Sequence, residues 1–464
     1  MRKFRKGAGA LAFAPGAAKV AVIALFGIVV GAAVWIFGAA LERISSGNWA
    51  DLAQHVAILL AGASLLVALG CLVLLRLRSP QKRIEDIARR VLGSYKYGNP
   101  LGLSEGQMLP LIRCSVVDGS LPSFRLRVTG YASTVEQIEA ARSALSSGLR
   151  GRFEPFSVVR VDAGAASQYV DFYLEDVLKD RRITVNSLDD LETGDVTRLR
   201  VQEGLEIDLT SSGSILVAGK TRSGKTSGIL SLLLAVAAYG PDEHRSALLI
   251  VDPKRAELSR LPGVLIPDES GEAREILDRL RDFERTIQSR QNVLNIASDQ
   301  VGDAVKWWDV GMHPSFVFLD EFVALRSMFP TSTAKEFAGY RLKDFDAVLR
   351  RIITMGASAG CFVIVSIAQA NAEQLPTMLR DAFSTRILFR PTPDEGRLLW
   401  DSTQINGVPP RIYGPGEAWF SSSDGMNDAI RQVQFPWWSE SFKPYAALAH
   451  LLKEYDHKRQ SLAA

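Results

Sequence analysis

The sequence predicts an α/β protein in which helices cover a mainly parallel sheet, preceded by two transmembrane helices and a small α+β domain. Three observations predict it. Two runs near the N-terminus, Val20 to Leu41 and Val56 to Leu75, carry no charged residue. From about residue 195, short apolar strands alternate with helical segments, the pattern of a parallel sheet buried on both faces. The first of those strands runs into a loop with glycines at fixed spacing, Gly219-Lys220-Thr221-Arg222-Ser223-Gly224-Lys225-Thr226.

Each uncharged run is long enough for a membrane helix. A helix rises about 1.5 Å per residue, so either run covers the ~30 Å hydrocarbon layer. A buried core helix would keep a polar stripe, and these keep none. A cleaved signal peptide would account for the first run only, which is too long for its apolar region. Gly27, Gly31, Gly62 and Gly70 suit close packing of two such helices. The flanks set the orientation. Arg2, Lys3, Arg5, Lys6 and Lys19 precede the first run without an acid, and Arg76, Arg78, Lys82, Arg83, Arg89 and Arg90 follow the second. Basic flanks stay in the cytoplasm. The expectation is a two-span protein of the bacterial cell membrane with both termini cytoplasmic.

The domain reading follows. Residues 1–19 are a basic N-terminus, 20–41 and 56–75 the spans, 42–55 a short extracytoplasmic loop and 76–104 a basic juxtamembrane linker. Residues 105–180 form the small α+β domain: strands at Leu109–Val117, Phe124–Thr129, Phe156–Val161 and Gln168–Leu174, with a helix at Thr134–Gly148. Residues 181–440 form the main domain, and 441–464 a helical tail. Strands are expected in the main domain at Ser214–Ala218, Ala247–Val251, Phe316–Leu319, Phe362–Ile367 and Arg386–Phe389. In the helix Arg274–Asn295, Ile276, Leu280, Phe283 and Ile287 lie at helical spacing, which reads as a core stripe beneath a solvated charged face.

Composition narrows the function classes. With 47% hydrophobic and 23% charged residues, the chain is neither disordered nor fibrous. The net charge of +3 decides nothing about partners. Cys71, Cys114 and Cys361 form no CxxC, and the five histidines are scattered, so neither a disulfide framework nor a zinc site is implied.

The loop at 219–226 is a complete G-x-x-x-x-G-K-[ST] pattern between a strand and a helix that opens near Ser227. Its backbone N–H groups and the helix N-terminus bind phosphate oxygens. Lys225 reaches the β- and γ-phosphates of ATP, and the Thr226 hydroxyl ligates Mg²⁺. The strand Ser315–Leu319 delivers Asp320 and Glu321. Asp320 would hold Mg²⁺ through its water shell, and Glu321 would polarise the attacking water. Gln369, past the fourth strand, would sense the γ-phosphate or position water, unless it is an ordinary loop residue.

With these pieces in place the chain resembles the FtsK/SpoIIIE-type DNA translocase family. The resemblance lies in Val217–Thr226, Ile250-Val-Asp-Pro-Lys-Arg-Ala-Glu-Leu258, Phe318-Leu-Asp-Glu-Phe322, Ala359–Gln369 and Arg386–Phe389, and covers about residues 195–435. Within the family, the TcpA-like coupling proteins of Gram-positive conjugative elements are similar in having two spans and one motor domain. The segment Leu375–Ile387 looks like theirs. The resemblance implies a RecA-like, Mg-ATP-driven ring, expected to be a hexamer, that tracks DNA largely without regard to sequence. It also implies a role in conjugative transfer beside a relaxase and secretion-channel proteins. A chromosome or cell-division translocase is the alternative. A protein-secretion motor and a non-hydrolysing membrane adaptor are rivals of other classes. The chain is expected to lack a C-terminal winged-helix DNA reader, because only about 30 residues follow Pro436.

Two departures stand out. No basic residue lies in Gly356-Ala-Ser-Ala-Gly360, where the family commonly has an arginine, and the family's Gln-Arg-Pro is Gln369-Ala-Asn here. A trans-acting arginine is then sought among Arg350, Arg351, Arg380 and Arg386, of which Arg386 is best placed by motif and equally readable as a structural residue of the sheet. Arg341 and Lys343, or Lys254 and Arg255, are candidate DNA contacts, each read first as solvated surface charge. Trp307-Trp308 and Trp437-Trp438 read first as core or interface anchors and second as base-stacking pairs.

Overall fold

The computed structural model describes residues 29–40, 49–77, 79–93, 99–104, 107–117, 123–130, 133–244, 246–269, 272–368, 376–400, 404–405, 408, 412–425 and 427–463. The chain divides into two compact units, Met1–Asp176 and Val177–Ala464.

In the first unit, Trp49–Leu77 is one helix of 29 residues that contains the second uncharged run. Residues 29–40 are helical, and the remainder of the first run lies outside the described residues. No helix among the described residues is long and apolar enough to cross a membrane. The two-span expectation therefore stands on the sequence runs alone. The rest of the unit is a four-stranded antiparallel sheet of β1 (Ile112–Val117), β2 (Ser123–Thr129), β3 (Phe156–Ala163) and β4 (Tyr169–Asp176), in the order β1-β2-β4-β3. All four strands fall where the alternating pattern places them. The single helix expected at 134–148 is two, Val135–Ala140 and Arg142–Gly148, with the break at Ala141.

The segment read as a linker is in part core. Ser79 caps a helix at Pro80–Leu92 by accepting from the Lys82 N–H at 3.2 Å. Ile84, Ala88, Val91 and Leu92 recur every three or four residues and belong to one buried cluster with Phe124, Val128, Leu145 and Phe172. Gly148 admits this helix, since a Cβ there would lie 2.2 Å from a Val91 methyl. The basic residues face outward on the opposite stripe, which is why composition alone suggested a linker.

In the second unit, a short strand β5 (Thr184–Val185) and a hairpin of β6 (Arg198–Gln202) and β7 (Leu205–Asp208) precede the main sheet. That sheet contains β8 (Ile215–Gly219), β9 (Leu248–Val251), β10 (Ser315–Leu319), β11 (Cys361–Ile367), β12 (Thr385–Phe389), β13 (Glu417–Ser422) and β14 (Asn427–Gln434). The order is β14-β13-β12-β8-β11-β10-β9. The strands from β9 to β12 run parallel, and β13 and β14 add an antiparallel edge. The five parallel strands are the five expected. The antiparallel pair was not foreseen, since Glu417–Ser422 carries little β-branched signal. A final short strand, β15 (Trp437–Trp438), pairs in parallel with β5.

Both faces of the sheet are buried, and alternate residues sort between them. Leu216, Ala218, Val317, Leu319, Val363 and Val365 meet the helices Arg274–Val301 and Leu342–Met355. Ile215, Val217, Phe316, Phe318, Phe362 and Ile364 meet the helices Lys225–Tyr239 and Pro444–Ala463. Burying one such side chain contributes roughly 1.5–3 kcal/mol.

One polar group crosses this apolar rule. The stripe Ile276, Leu280, Phe283, Ile287 continues with helical spacing to Arg290 and Leu294, and Arg290 is 1% exposed. Its Nε donates to the Ala359 carbonyl at 2.7 Å and one Nη to the His313 carbonyl at 2.7 Å. The other Nη lies 3.7 Å from the Asp242 carboxylate. Asp242 accepts in turn from the His244 and Ser246 N–H groups. The guanidinium thus ties together the chain ends that feed β9, β10 and β11. Arg290→Ala removes the side-chain donor from the Ala359 and His313 carbonyls and the nearby cation from the Asp242 carboxylate, so chemical denaturation should show a loss of about 3–5 kcal/mol.

Candidate nucleotide site

The strand order places the site. The chain leaves β8 towards β9 on one side and returns as β12 on the other, so a crevice opens at the carboxyl end of β8. A cleft of about 480 Å³ lies there. Gly219, Lys220, Thr221, Arg222, Gly224, Lys225, Thr226 and Ser227 line it, together with Lys254, Asp320, Glu321, Trp437 and Tyr445.

The loop geometry demands its residues. Gly224 has φ +90°, and a Cβ there would lie 2.3 Å from the Gly416 nitrogen. The same turn receives a hydrogen bond, with the Gly416 N–H donating to the Ser223 carbonyl at 2.8 Å. Arg222 also takes the left-handed conformation, at φ +63°. Ser223 is buried, and its Oγ has no hydrogen-bond partner among the described residues. The Lys225–Tyr239 helix starts directly from this loop, so its N-terminal N–H groups face the cleft.

Two half-buried charges face each other across one strand. β11 lies between β8 and β10, with Ser366 opposite Val217 of β8. The Lys225 Nζ donates to the Ser366 Oγ at 3.0 Å and to the Ile367 carbonyl at 3.2 Å. The Ser366 hydroxyl hydrogen-bonds the Asp320 carboxylate. Burial pushes the Lys225 pKa down, opposed by Asp320 and Glu321. Burial pushes the Asp320 pKa up, opposed by Lys225 and by the hydrogen bond from Ser366. Each charge is thus poised for a counter-charge brought from outside: phosphate for the lysine, a cation for the carboxylate. Among the described residues no cluster of three or more His, Cys, Asp or Glu side chains could hold a metal. The donor set of Thr226 hydroxyl and Asp320 carboxylate suits a hard Mg²⁺ that keeps most of its water and arrives with phosphates.

Glu321 sits at the left-handed φ of +40° where β10 turns into the helix Phe322–Ser327. Its carboxylate pairs with the Lys254 Nζ at 3.1 Å. Lys254 therefore lines the cleft. Arg255 is engaged as well, donating to the carbonyls of Pro267 and Asp268 at 2.7 and 2.6 Å. Arg341 donates to the carbonyls of Thr333 and Ala334, while Lys343 is exposed.

The remaining candidates separate. Lys220 forms an ion pair with Glu395 at 3.3 Å. Ser227 donates weakly to the Pro436 carbonyl at 3.5 Å. Gln369 lies outside the described residues. Arg386 does not line the cleft. Its guanidinium donates to the carbonyls of Phe383 and Leu399 and lies 3.9 Å from Asp381. Within its own subunit it ties β12 to the following helix, which is the structural alternative for that residue. Arg351 pairs with Glu284, and Arg380 with Asp381 and the Leu398 carbonyl. Trp307 is a core residue against Phe362, with ring centroids 6.2 Å apart, so it cannot stack on a base. Trp438 stacks on Phe442. Trp437 is 44% exposed and lines the nucleotide cleft, a placement that rests on β15 pairing with β5 and has no local sequence signal.

Residues 190–387 match the model of the FtsK/SpoIIIE family. The segment that matches is a P-loop ATPase domain with a mainly parallel sheet, similar to the domain of that family. The FtsK domain-containing protein YdcQ of Bacillus subtilis is 27% identical over 183 residues, 39% of this chain and 35% of that protein. The DNA translocase FtsK of Rickettsia bellii is 26% identical over 261 residues, 50% of this chain and 34% of that protein. The chain thus spans about a third of the length of these curated relatives. Among solved structures, the pCW3 conjugation coupling protein TcpA, a monomer form with ATPγS, is similar with a TM-score of 0.45 and 15% identity. That match covers 79% of this chain and 99% of the other.

The phosphate loop should tolerate no side chain at Gly224. Gly224→Ala meets both the positive φ and the Gly416 backbone, so titration calorimetry should show ATP affinity falling about tenfold or more.

Proposed function

We propose that this chain is a membrane-anchored, ATP-driven DNA translocase, and that it acts as the coupling protein moving plasmid or integrative-element DNA in conjugative transfer. The observation that carries the motor reading is the convergence of Lys225, Thr226, Asp320 and Glu321 on one cleft within a domain similar to that of the FtsK/SpoIIIE family. ATP is the substrate. Lys225 would leave Ser366 for the β- and γ-phosphates, and Thr226 and Asp320 would hold Mg²⁺, which neutralises phosphate charge. Glu321 would orient a water and take its proton.

DNA as the substrate to be moved is supported by the family and by curated relatives named as DNA translocases. Membrane anchoring is supported by the two uncharged runs with their basic flanks. The conjugative role is supported by the pairing of those runs with the phosphate loop, and by the Leu375–Ile387 resemblance. A homo-oligomeric ring, with a trans-acting arginine completing each site, belongs to the same proposal, as do a relaxase and secretion-channel proteins as partners. The second reading is a chromosome or cell-division translocase, and the relatives named DNA translocase FtsK support it as a DNA motor equally.

Two outcomes test the motor. Lys225→Ala should lose nucleotide binding, whereas Glu321→Gln should keep ATP bound and lower turnover about 10²–10³-fold. Full ATPase activity in both would sink the assignment. DNA should stimulate the ATPase, and its binding should fall steeply with salt and depend little on sequence, because the contacts go to phosphates. A salt-insensitive affinity would contradict a tracking motor. A mating assay with Lys225→Ala in the donor decides the role. Unimpaired transfer would point to the chromosome reading.

A further inference from the structure

We infer that Lys254 is a second phosphate-binding lysine of the site, which reads the γ-phosphate and, in its absence, holds Glu321. The inference rests on the ATP reading above and adds to it a residue that distinguishes ATP from ADP.

The loop that carries Lys254 is built rather than loose. Asp252 is fully buried, and its carboxylate accepts from the Lys254 N–H at 3.1 Å and from the Ser259 N–H at 3.0 Å. Its own N–H donates to the Leu265 carbonyl. Arg255, in a left-handed conformation, is pinned through its guanidinium to Pro267 and Asp268. These bonds fix the backbone on both sides of Lys254, while its side chain is 53% exposed and reaches into the cleft. It lies close enough to Lys225 for the two charges to disfavour each other. Two ammonium groups, Lys225 and Lys254, thus face two carboxylates, Asp320 and Glu321, in one cleft, and the four contacts differ in how tightly they are held. Lys225 is already held by Ser366 and Ile367, and Asp320 by Ser366 and a backbone N–H. The Lys254–Glu321 pair is therefore the half-exposed contact of the four, and the cheapest to exchange.

A terminal phosphate carries more negative charge and more acceptor oxygens than a carboxylate. It would draw Lys254 from Glu321 and leave that carboxylate free to accept a proton from water. ADP, lacking the γ-phosphate, would leave the pair intact. Lys254 would thus link the presence of ATP to the release of the base.

Titration of the full chain with ATPγS and with ADP, each with Mg²⁺, tests this without turnover. Lys254→Met should weaken ATPγS about tenfold or more while leaving ADP within about threefold, as for loss of one charge-assisted contact. Lys254→Arg should restore most of the difference. Glu321→Gln should tighten ATPγS several-fold by removing the competing carboxylate, and should have no such effect in a Lys254→Met background. Equal losses for both nucleotides, or none, would overturn the inference. Lys225→Ala serves as the reference. If it still binds nucleotide, the ATP site itself is misread. If it abolishes binding while Lys254→Met leaves the ATPγS-to-ADP ratio unchanged, only the role of Lys254 fails.

Discussion

The hydroxyl of Ser366 accepts from Lys225 and donates to Asp320, and much of the site depends on that bridge. An ammonium and a carboxylate buried without partners would each cost several kcal/mol. Neither stands alone, because β11 lies between the strand of the phosphate loop and the strand of the acidic pair. A strand order with β8 beside β10 would leave no residue between the two charges. The sheet topology is therefore not a neutral scaffold. It sets the distance at which the two halves of the nucleotide machinery face each other, and it supplies the polar atom that bridges them.

The parts legible in the sequence are those whose signal is contiguous. A full loop pattern between strand and helix, and an apolar strand ending in Asp320-Glu321, announce themselves within ten residues. The five parallel strands were equally plain, being short apolar runs. What stayed hidden is made by pairing distant segments. Lys254 meets Glu321 only because β9 and β10 are neighbours in register. Trp437 reaches the cleft because β15 pairs with β5. Ser366 looks like one polar residue in an apolar strand, and its position gains meaning only from the strand order. Arg290 is the exception. It continues the helical stripe from Ile276, so its burial could have been read by extending that stripe one more turn.

Basic residues show the same limit from the other side. Arg255, Arg341 and Arg386 were each plausible as contacts to a polyanion or to a neighbouring subunit's nucleotide. Each donates instead to backbone carbonyls of its own subunit. A guanidinium has five donors in a rigid fork, which suits it to fastening loops whose carbonyls would otherwise lack partners. Counting basic residues on a segment therefore overstates what is available to a ligand. The ammonium of Lys254, on a flexible stem and with one exchangeable partner, is the kind of charge that a ligand can recruit.

The antiparallel edge of the main sheet gives the cleft its remaining wall. The turn into β13 places Gly416 against the phosphate loop, where its N–H holds the Ser223 carbonyl and its carbonyl accepts from the Phe435 N–H just past β14. The chain then passes Pro436, whose carbonyl accepts from Ser227, and presents Trp437 to the cleft. Three consecutive residues after the hairpin thus touch the loop, its helix or the cleft. Phe389 of β12 packs on Phe435 with centroids 4.7 Å apart and, with it, against Gly228 of the loop helix. A shift of the phosphate loop on taking up phosphate would therefore be felt directly by β13, β14 and β15. The antiparallel pair is part of the nucleotide site, and the segment that follows it, through β15 to the Pro444–Ala463 helix packed on the loop helix, is where a change at the phosphates would first leave the cleft.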